Sequence, residues 1–242
     1  MPKVDFKLEY GKVKTENKGY PVVIVAAGSS SRMQGADKLF TNVLGLPVLA
    51  RTIKAFEQSP LISEISIVTR EDKIADVKRL AERYAINKLN FVVAGGASRE
   101  ESVKNGLLLY KGKADKILIH DGARPLVSSQ VIENVVSALK ENFSVTCAVR
   151  VKDTIKTVDS NNFGTITLKR EELVSIQTPQ GVDIEKFLAI AEKNDLATFT
   201  DDTSVLEVAG ISPKIVEGDY KNIKITTPED IIIAEALLGS EF

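Results

Sequence analysis

Arg32 and Lys38 lie close together in a stretch that also offers three successive hydroxyls, Ser29 to Ser31. Just upstream, the run Val22–Val25 ends in Ala26, Ala27 and Gly28. Two fixed positive charges beside hydroxyls and main-chain N–H groups suit a polyanion, best of all a nucleoside triphosphate. The small residues let a backbone come close to a ligand. The loop is not a P-loop, because no G-x-x-x-x-G-K-[ST] can be read in it. No G-x-G-x-x-G opens the following segment either. Taken alone, the same residues also fit a tight strand-to-loop turn whose Arg32 and Lys38 are solvated.

Four further clusters carry chemistry-bearing residues. Gly95-Gly96-Ala97-Ser98-Arg99 offers close backbone approach and a helix N-terminus, which favours negative or carbonyl groups, and it also fits an ordinary βα turn. In His120-Asp121-Gly122-Ala123-Arg124-Pro125, Asp121 can hold Mg²⁺ or another divalent cation while phosphates supply the remaining ligands, or it can pair with Arg124. His120 suits a packing or hydrogen-bonding role better than general base catalysis. Lys152, Thr154, Lys156, Lys169 and Arg170 fit a solvated face, or an arm that delivers a cation to a neighbouring subunit. Thr200-Asp201-Asp202-Thr203-Ser204 can cap a helix. Lys224 stands two residues after Asn222, on the same face if that segment is a strand.

The elements that must position these clusters alternate in type. Apolar β-branched runs predict strands at Val22–Ala26, Ile65–Thr69, Phe91–Ala94, Lys116–His120 and Val145–Val151. Helical periodicity falls between them at about 47–58, 72–84, 99–110 and 129–141, and Ser98 with Glu101 reads as a capping box. Such alternation predicts an α/β fold with a mostly parallel twisted sheet and helices on both faces, its ligands at the carboxyl ends of the strands. The segments 154–158 and 165–168, joined by Asp-Ser-Asn-Asn-Phe-Gly, read as a β-hairpin arm over about 152–170. Helices follow at about 184–193 and 202–208, strands at 214–216 and 222–226, and a last helix with Thr227 as N-cap and Pro228 in its first turn. Residues 21–242 are expected to form a single domain with this arm, and residues 1–20 an N-terminal extension. In that extension Val4, Phe6, Leu8 and Tyr10 alternate with polar residues, the pattern of a half-buried strand or of a frayed terminus.

Composition narrows the classes. Lys and Arg number 32 against 33 Asp and Glu, so no overall basic field favours nucleic acid, and anion binding must come from local clusters. Cys147 is the one cysteine and lies in an apolar run, so it reads as a small core residue and forms no intramolecular disulfide. No segment approaches a membrane span and the N-terminus has no apolar leader core, so a cytoplasmic location is expected.

Together the motifs resemble the 2-C-methyl-D-erythritol 4-phosphate cytidylyltransferase family. The resemblance runs from about Pro21 to Leu238 and rests on AAGSSSRM (Ala26–Met33), GGASREESV (Gly95–Val103), HDGARP (His120–Pro125), VKDTIK (Val151–Lys156), QTPQ (Gln177–Gln180), TDDTS (Thr200–Ser204) and NIKITTPED (Asn222–Asp230). It implies a Rossmann-like nucleotidyltransferase fold, a homodimer clasped by the arm, and transfer of CMP from CTP to the sugar phosphate. By the same resemblance Arg32 and Lys38 contact the CTP phosphates and stabilise charge in the transition state. Ala26, Ala27, Gly28, Gly95, Ser102 and Gly122 surround the cytidine and ribose, with Asp121 near the ribose and Mg²⁺. Thr154, Thr200 and Arg170, the last from the other subunit, bind the sugar phosphate, and Lys224 positions its phosphate. A cytidylyltransferase for another polyol phosphate, such as ribitol 5-phosphate, and a non-catalytic nucleotide-binding homologue are the alternatives. Asp37 departs from the family, which usually has proline there; a carboxylate at this place can pair with Lys38.

Overall fold

The computed structural model describes residues 19–28, 37–194, 196, 199 and 201–239. Its first strand, β1 (Tyr20–Ala26), is followed by a small hairpin, β2 (Asn42–Val43) and β3 (Leu46–Pro47), and by α1 (Val48–Gln58). Then come β4 (Ile62–Thr69), α2 (Ile74–Arg83), β5 (Leu89–Ala94), α3 (Arg99–Leu108), β6 (Lys116–Asp121), α4 (Ser129–Leu139) and β7 (Ser144–Arg150). The arm is β8 (Lys156–Val158) and β9 (Gly164–Thr167), after which β10 (Val174–Asp183), α5 (Ile184–Ala191), α6 (Ser204–Glu207), β11 (Lys214–Glu217) and α7 (Pro228–Gly239) complete the chain.

Among the described residues, seven strands form one sheet in the order β11-β7-β10-β6-β1-β4-β5. β1 is parallel to β4 and β6, and β4 to β5. Because β1 feeds β4 on one side and meets β6 on the other, the β1/β6 boundary is the topological switch point, where the loops diverge and leave a crevice. Both faces of β1 are buried, which is why its sequence is continuously apolar. Val22 and Ile24 join the core under α1, α2 and α4, and Val23 joins the core under α3 and α5. Gly106 lets α3 lie directly on β1: a Cβ there would come within 2.5 Å of Val23 Cγ1.

Three elements differ from the expectation. β10 is a ten-residue strand, antiparallel to both β6 and β7, where the sequence predicts none. Its Gln177-Thr178-Pro179-Gln180 core lacks β-branched alternation and is buried nonetheless, because the polar side chains find internal partners. Gln180 Nε2 donates to Thr146 Oγ1 at 3.0 Å, and Asn222 Nδ2 donates to the Thr178 carbonyl at 2.8 Å. Conversely, 222–226 is not a strand. Asn222 and Ile225 are its buried residues, a spacing that breaks two-residue alternation. The segment is held instead by Arg124 Nη1 donating to the Asn222 carbonyl (2.8 Å) and by Ile225 N–H donating to the Ala123 carbonyl (2.8 Å). The helix expected from Asp202 begins at Ser204. The pattern at Val4–Tyr10 lies outside the described residues.

Candidate active site

A cleft of about 360 Å³ opens at the carboxyl ends of β1, β5 and β6. Ala26, Ala27, Gly28, Lys38, Ser102, Asp121 and Lys224, all expected in the site, line it together with Arg99. Gly95 and Gly122 shape its wall from behind. A Cβ on Gly95 would come within 2.6 Å of Ser102 Oγ and 2.7 Å of Ala27 Cβ, and Gly122 N–H donates to the Val25 carbonyl at 2.8 Å. Arg32 and Thr200, with Ser29 to Ser31, lie outside the described residues. Thr154 and Arg170 stand exposed on the arm, where Arg170 Nη1 donates to the Lys152 carbonyl at 2.9 Å.

Lys38 is carried by a turn in which the Asp37 carbonyl accepts from Phe40 N–H (3.0 Å) and Thr41 N–H (3.1 Å). The Asp37 carboxylate faces Arg70 at 3.3 Å and accepts from Leu39 N–H at 3.2 Å. The capping box of α3 forms: Glu101 N–H donates to Ser98 Oγ at 3.1 Å. The reciprocal bond is shifted by one residue, since Glu101 Oε2 accepts from Ala97 N–H at 2.7 Å.

Asp121 is the electrostatic centre. Its Oδ1 meets the Arg99 guanidinium at 3.1 Å, and its Oδ2 meets Lys224 Nζ at 2.8 Å and Arg124 Nε at 3.5 Å. Burial opposes ionisation of this carboxyl, but Arg99, Lys224 and Arg124 outweigh burial and hold it below the usual carboxylate range. Arg99 also grips Asp202 with two bonds, at 2.7 and 2.9 Å. Burial raises the Asp202 carboxyl despite that pairing. Both oxygens of Asp121 serve as counter-ions to Arg99, Lys224 and Arg124, so a divalent cation seated there together with phosphate oxygens would displace one of these partners.

His120 lies fully buried behind the cleft, 4.8 Å from the Phe56 ring. Its Nε2 is 3.3 Å from the Arg124 carbonyl, which can only accept, so the ring is assigned as the Nε2–H tautomer. Nδ1 then accepts from Thr178 Oγ1 at 3.0 Å, and that hydroxyl in turn accepts from Asp121 N–H at 3.1 Å. Burial pushes the imidazole down to about 3, so it is neutral at physiological pH and does not face substrate as a base. Cys147 is buried, its thiol pushed up to about 12 by burial, in keeping with a core role.

The sequence reading passed over Arg99 and Thr178 as partners of Asp121, and Asp202 as the partner of Arg99. One signal for Arg99 was present. A cation at the first position of a helix opposes the macrodipole and needs nearby carboxylates to hold it there.

The comparisons agree with this geometry. A family model described as 2-C-methyl-D-erythritol 4-phosphate cytidylyltransferase matches residues 21–240. A protein of that name from Halalkalibacterium halodurans is 41% identical over 225 residues, covering 92% of this chain and 98% of its own. Another from Clostridium acetobutylicum is 41% identical, covering 89% and 96%. Among solved structures, a 4-diphosphocytidyl-2C-methyl-D-erythritol synthase from Anaerococcus prevotii superposes with a TM-score of 0.81 at 33% identity, covering 92% of this chain and 97% of its own. The switch-point cleft is thus found in a chain that matches the family along nearly its whole length, and the chain belongs to the 2-C-methyl-D-erythritol 4-phosphate cytidylyltransferase family.

Proposed function

We propose that this chain transfers the cytidylyl group of CTP to 2-C-methyl-D-erythritol 4-phosphate, releasing pyrophosphate, in isoprenoid precursor synthesis. The observation that carries the reading is a cleft at the β1/β6 switch point lined by both Lys38 and Lys224, in a chain matched by the family over residues 21–240. The nucleophile is itself a phosphate oxygen. A phosphate monoester has a second pKa of about 6, so it is largely dianionic at neutral pH and needs no protein base. That suits a site whose one histidine is buried and neutral.

The protein's task is then to bring two polyanions together and stabilise charge as the new bond to the α-phosphorus forms and the bond to pyrophosphate breaks. In this reading Lys38 and Arg32 neutralise the triphosphate. Ala26 to Gly28, Gly95, Ser102 and Gly122 shape the cytidine and ribose pocket, and Lys224 positions the attacking phosphate. Thr200 and, from a partner's arm, Thr154 and Arg170 hold the sugar phosphate. A homodimer clasped by the arm, a single domain over 21–242 and a cytoplasmic location belong to the same proposal. Among the described residues no helix is long and apolar enough to cross a membrane.

Pyrophosphate release from CTP, followed in parallel with 2-C-methyl-D-erythritol 4-phosphate and with ribitol 5-phosphate, tests the reading. Turnover with the former and little with the latter is expected. Turnover confined to ribitol 5-phosphate, or CTP binding with no release on either, overturns it. Arg32→Ala is expected to lower turnover by about 10²-fold or more with an unchanged melting temperature.

A further inference from the structure

Arg99, Asp121, Arg124, Asp202 and Lys224 form one contiguous set of ion pairs. Among the described residues of this set, three cations face two carboxylates, a surplus of one positive charge. The members differ in how firmly they are held. Asp202 has 1% of its side chain exposed, and its main-chain N–H donates to Gln180 Oε1 at 3.0 Å. Thr203 N–H donates to the same oxygen at 3.2 Å, so the start of this loop is fixed to β10. Arg99 is fixed to Asp202 by two bonds and stands at the first position of α3. Arg124 is 12% exposed and tied to the Asn222 carbonyl. Lys224 is 40% exposed and is tied to this set through Asp121. It is the member able to leave.

If Lys224 turns from Asp121 to an incoming phosphate, the two carboxylates are left matched by Arg99 and Arg124. Without Arg99, the two buried carboxylates would face only Arg124 and Lys224, and Lys224 could not depart without stranding negative charge in a low-dielectric site. We infer that Arg99, anchored by Asp202, is a positioning residue that acts through Asp121 to keep Lys224 exchangeable with the phosphate of the second substrate. The inference rests on the proposed transfer reaction, because the group that draws Lys224 away is the attacking phosphate. Asp202 sets the opposite side of the balance: its carboxylate occupies Arg99 and so limits how much of the Asp121 charge Arg99 can satisfy.

Charge balance and mere scaffolding make different forecasts. Arg99→Gln removes one positive charge and should tighten the Lys224–Asp121 pair. It raises KM for 2-C-methyl-D-erythritol 4-phosphate by about tenfold, with CTP affinity by calorimetry unchanged. Asp202→Asn removes one negative charge, frees Arg99 for Asp121, and lowers that KM. The double variant Arg99→Gln/Asp202→Asn restores the original surplus and returns KM toward the wild-type value. A scaffold role raises KM in both single variants and leaves the double no better than either; that result overturns the inference. So does weakened CTP affinity that matches the loss in KM. Where Arg99→Gln does not fold, the sign of the change in Asp202→Asn and the recovery in the double variant still decide. Sugar-phosphate binding, measured calorimetrically with a non-hydrolysable CTP analogue, reads the same ordering without turnover. An inactive wild-type protein would therefore count against the proposed reaction while the binding order still judges the role of Arg99.

Discussion

His120 is neutral because of what surrounds it, and that has a measurable cost in acid. In the folded chain burial depresses the imidazole from 6.5 to about 3, whereas the unfolded chain keeps the ordinary value. Below pH 6.5 the unfolded state takes up a proton that the folded state refuses, so this group makes stability fall as pH drops from 6.5 toward 3. Above that window its contribution is flat. The slope it adds is at most about 1.4 kcal/mol per pH unit. Urea unfolding across this range should show a shallower pH dependence in His120→Gln than in the parent, and equal slopes would refute the account. Asp121 works in the same direction further into acid, since its folded carboxyl is held low and its stabilisation is lost as it protonates. At this scale the sequence was informative about residue types and less so about pairing. Ala26, Gly28, Lys38, Ser102, Asp121 and Lys224, which their motifs put in the site, line the cleft together. That Asp37 would turn to Arg70 was not legible, because Arg70 lies at the end of a different strand. Asp202 reaches Arg99 across a long loop closure that no local spacing reveals.

Elements built from local periodicity were the most legible. The five buried parallel strands and four intervening helices appear within a few residues of where their apolar spacing puts them, because each is specified by its own side chains. β10 was not legible, since its burial depends on Thr146, Asn222 and Asp202, which come from distant parts of the chain. The segment 222–226 failed for the converse reason. Its alternation looks like a strand, yet main-chain bonds to Ala123 and Arg124 fix it beside the cleft without sheet pairing. The packing of α3 on β1 gives an element-scale forecast. Gly106→Ala would push a methyl group into Val23 and Val68, which have no room to retreat within the sheet. A loss of about 1–3 kcal/mol in denaturant unfolding is expected, with the α3 side of the cleft displaced. A variant as stable as the parent would show that α3 can shift freely on the sheet.

The whole molecule exposes an arm whose apolar residues lie largely open to solvent. Val158, Phe163 and Ile166 are 62%, 71% and 60% exposed. A hairpin with so much exposed apolar surface is poorly stable alone, which supports the proposal that it clasps a second copy. If Arg170 acts in the partner's site, equal mixing of Arg170→Ala with Arg32→Ala subunits yields hybrid dimers that each carry one intact site. About a quarter of parental activity then returns, because random pairing makes half the dimers hybrid. Heterodimers shown to form without any recovery would place Arg170 in its own subunit's chemistry.

The strand leaving that arm has a mechanical consequence. β10 pairs with β7 at the arm's root and with β6 further along, and its Thr178 hydroxyl touches Asp121 N–H. The arm and the floor of the cleft therefore hang on one strand whose arm-side end, Val174–Ile176, is paired with β7 alone, while Gln180–Val182 is paired on both edges. Between them the register shifts, so load from the tip reaches the floor across an irregularity and not along a continuous ladder. Exchanging the tip for another sequence leaves the doubly paired segment intact, whereas lengthening or shortening the chain between Ile176 and Gln180 acts on the irregularity that seats Thr178 beneath the cleft.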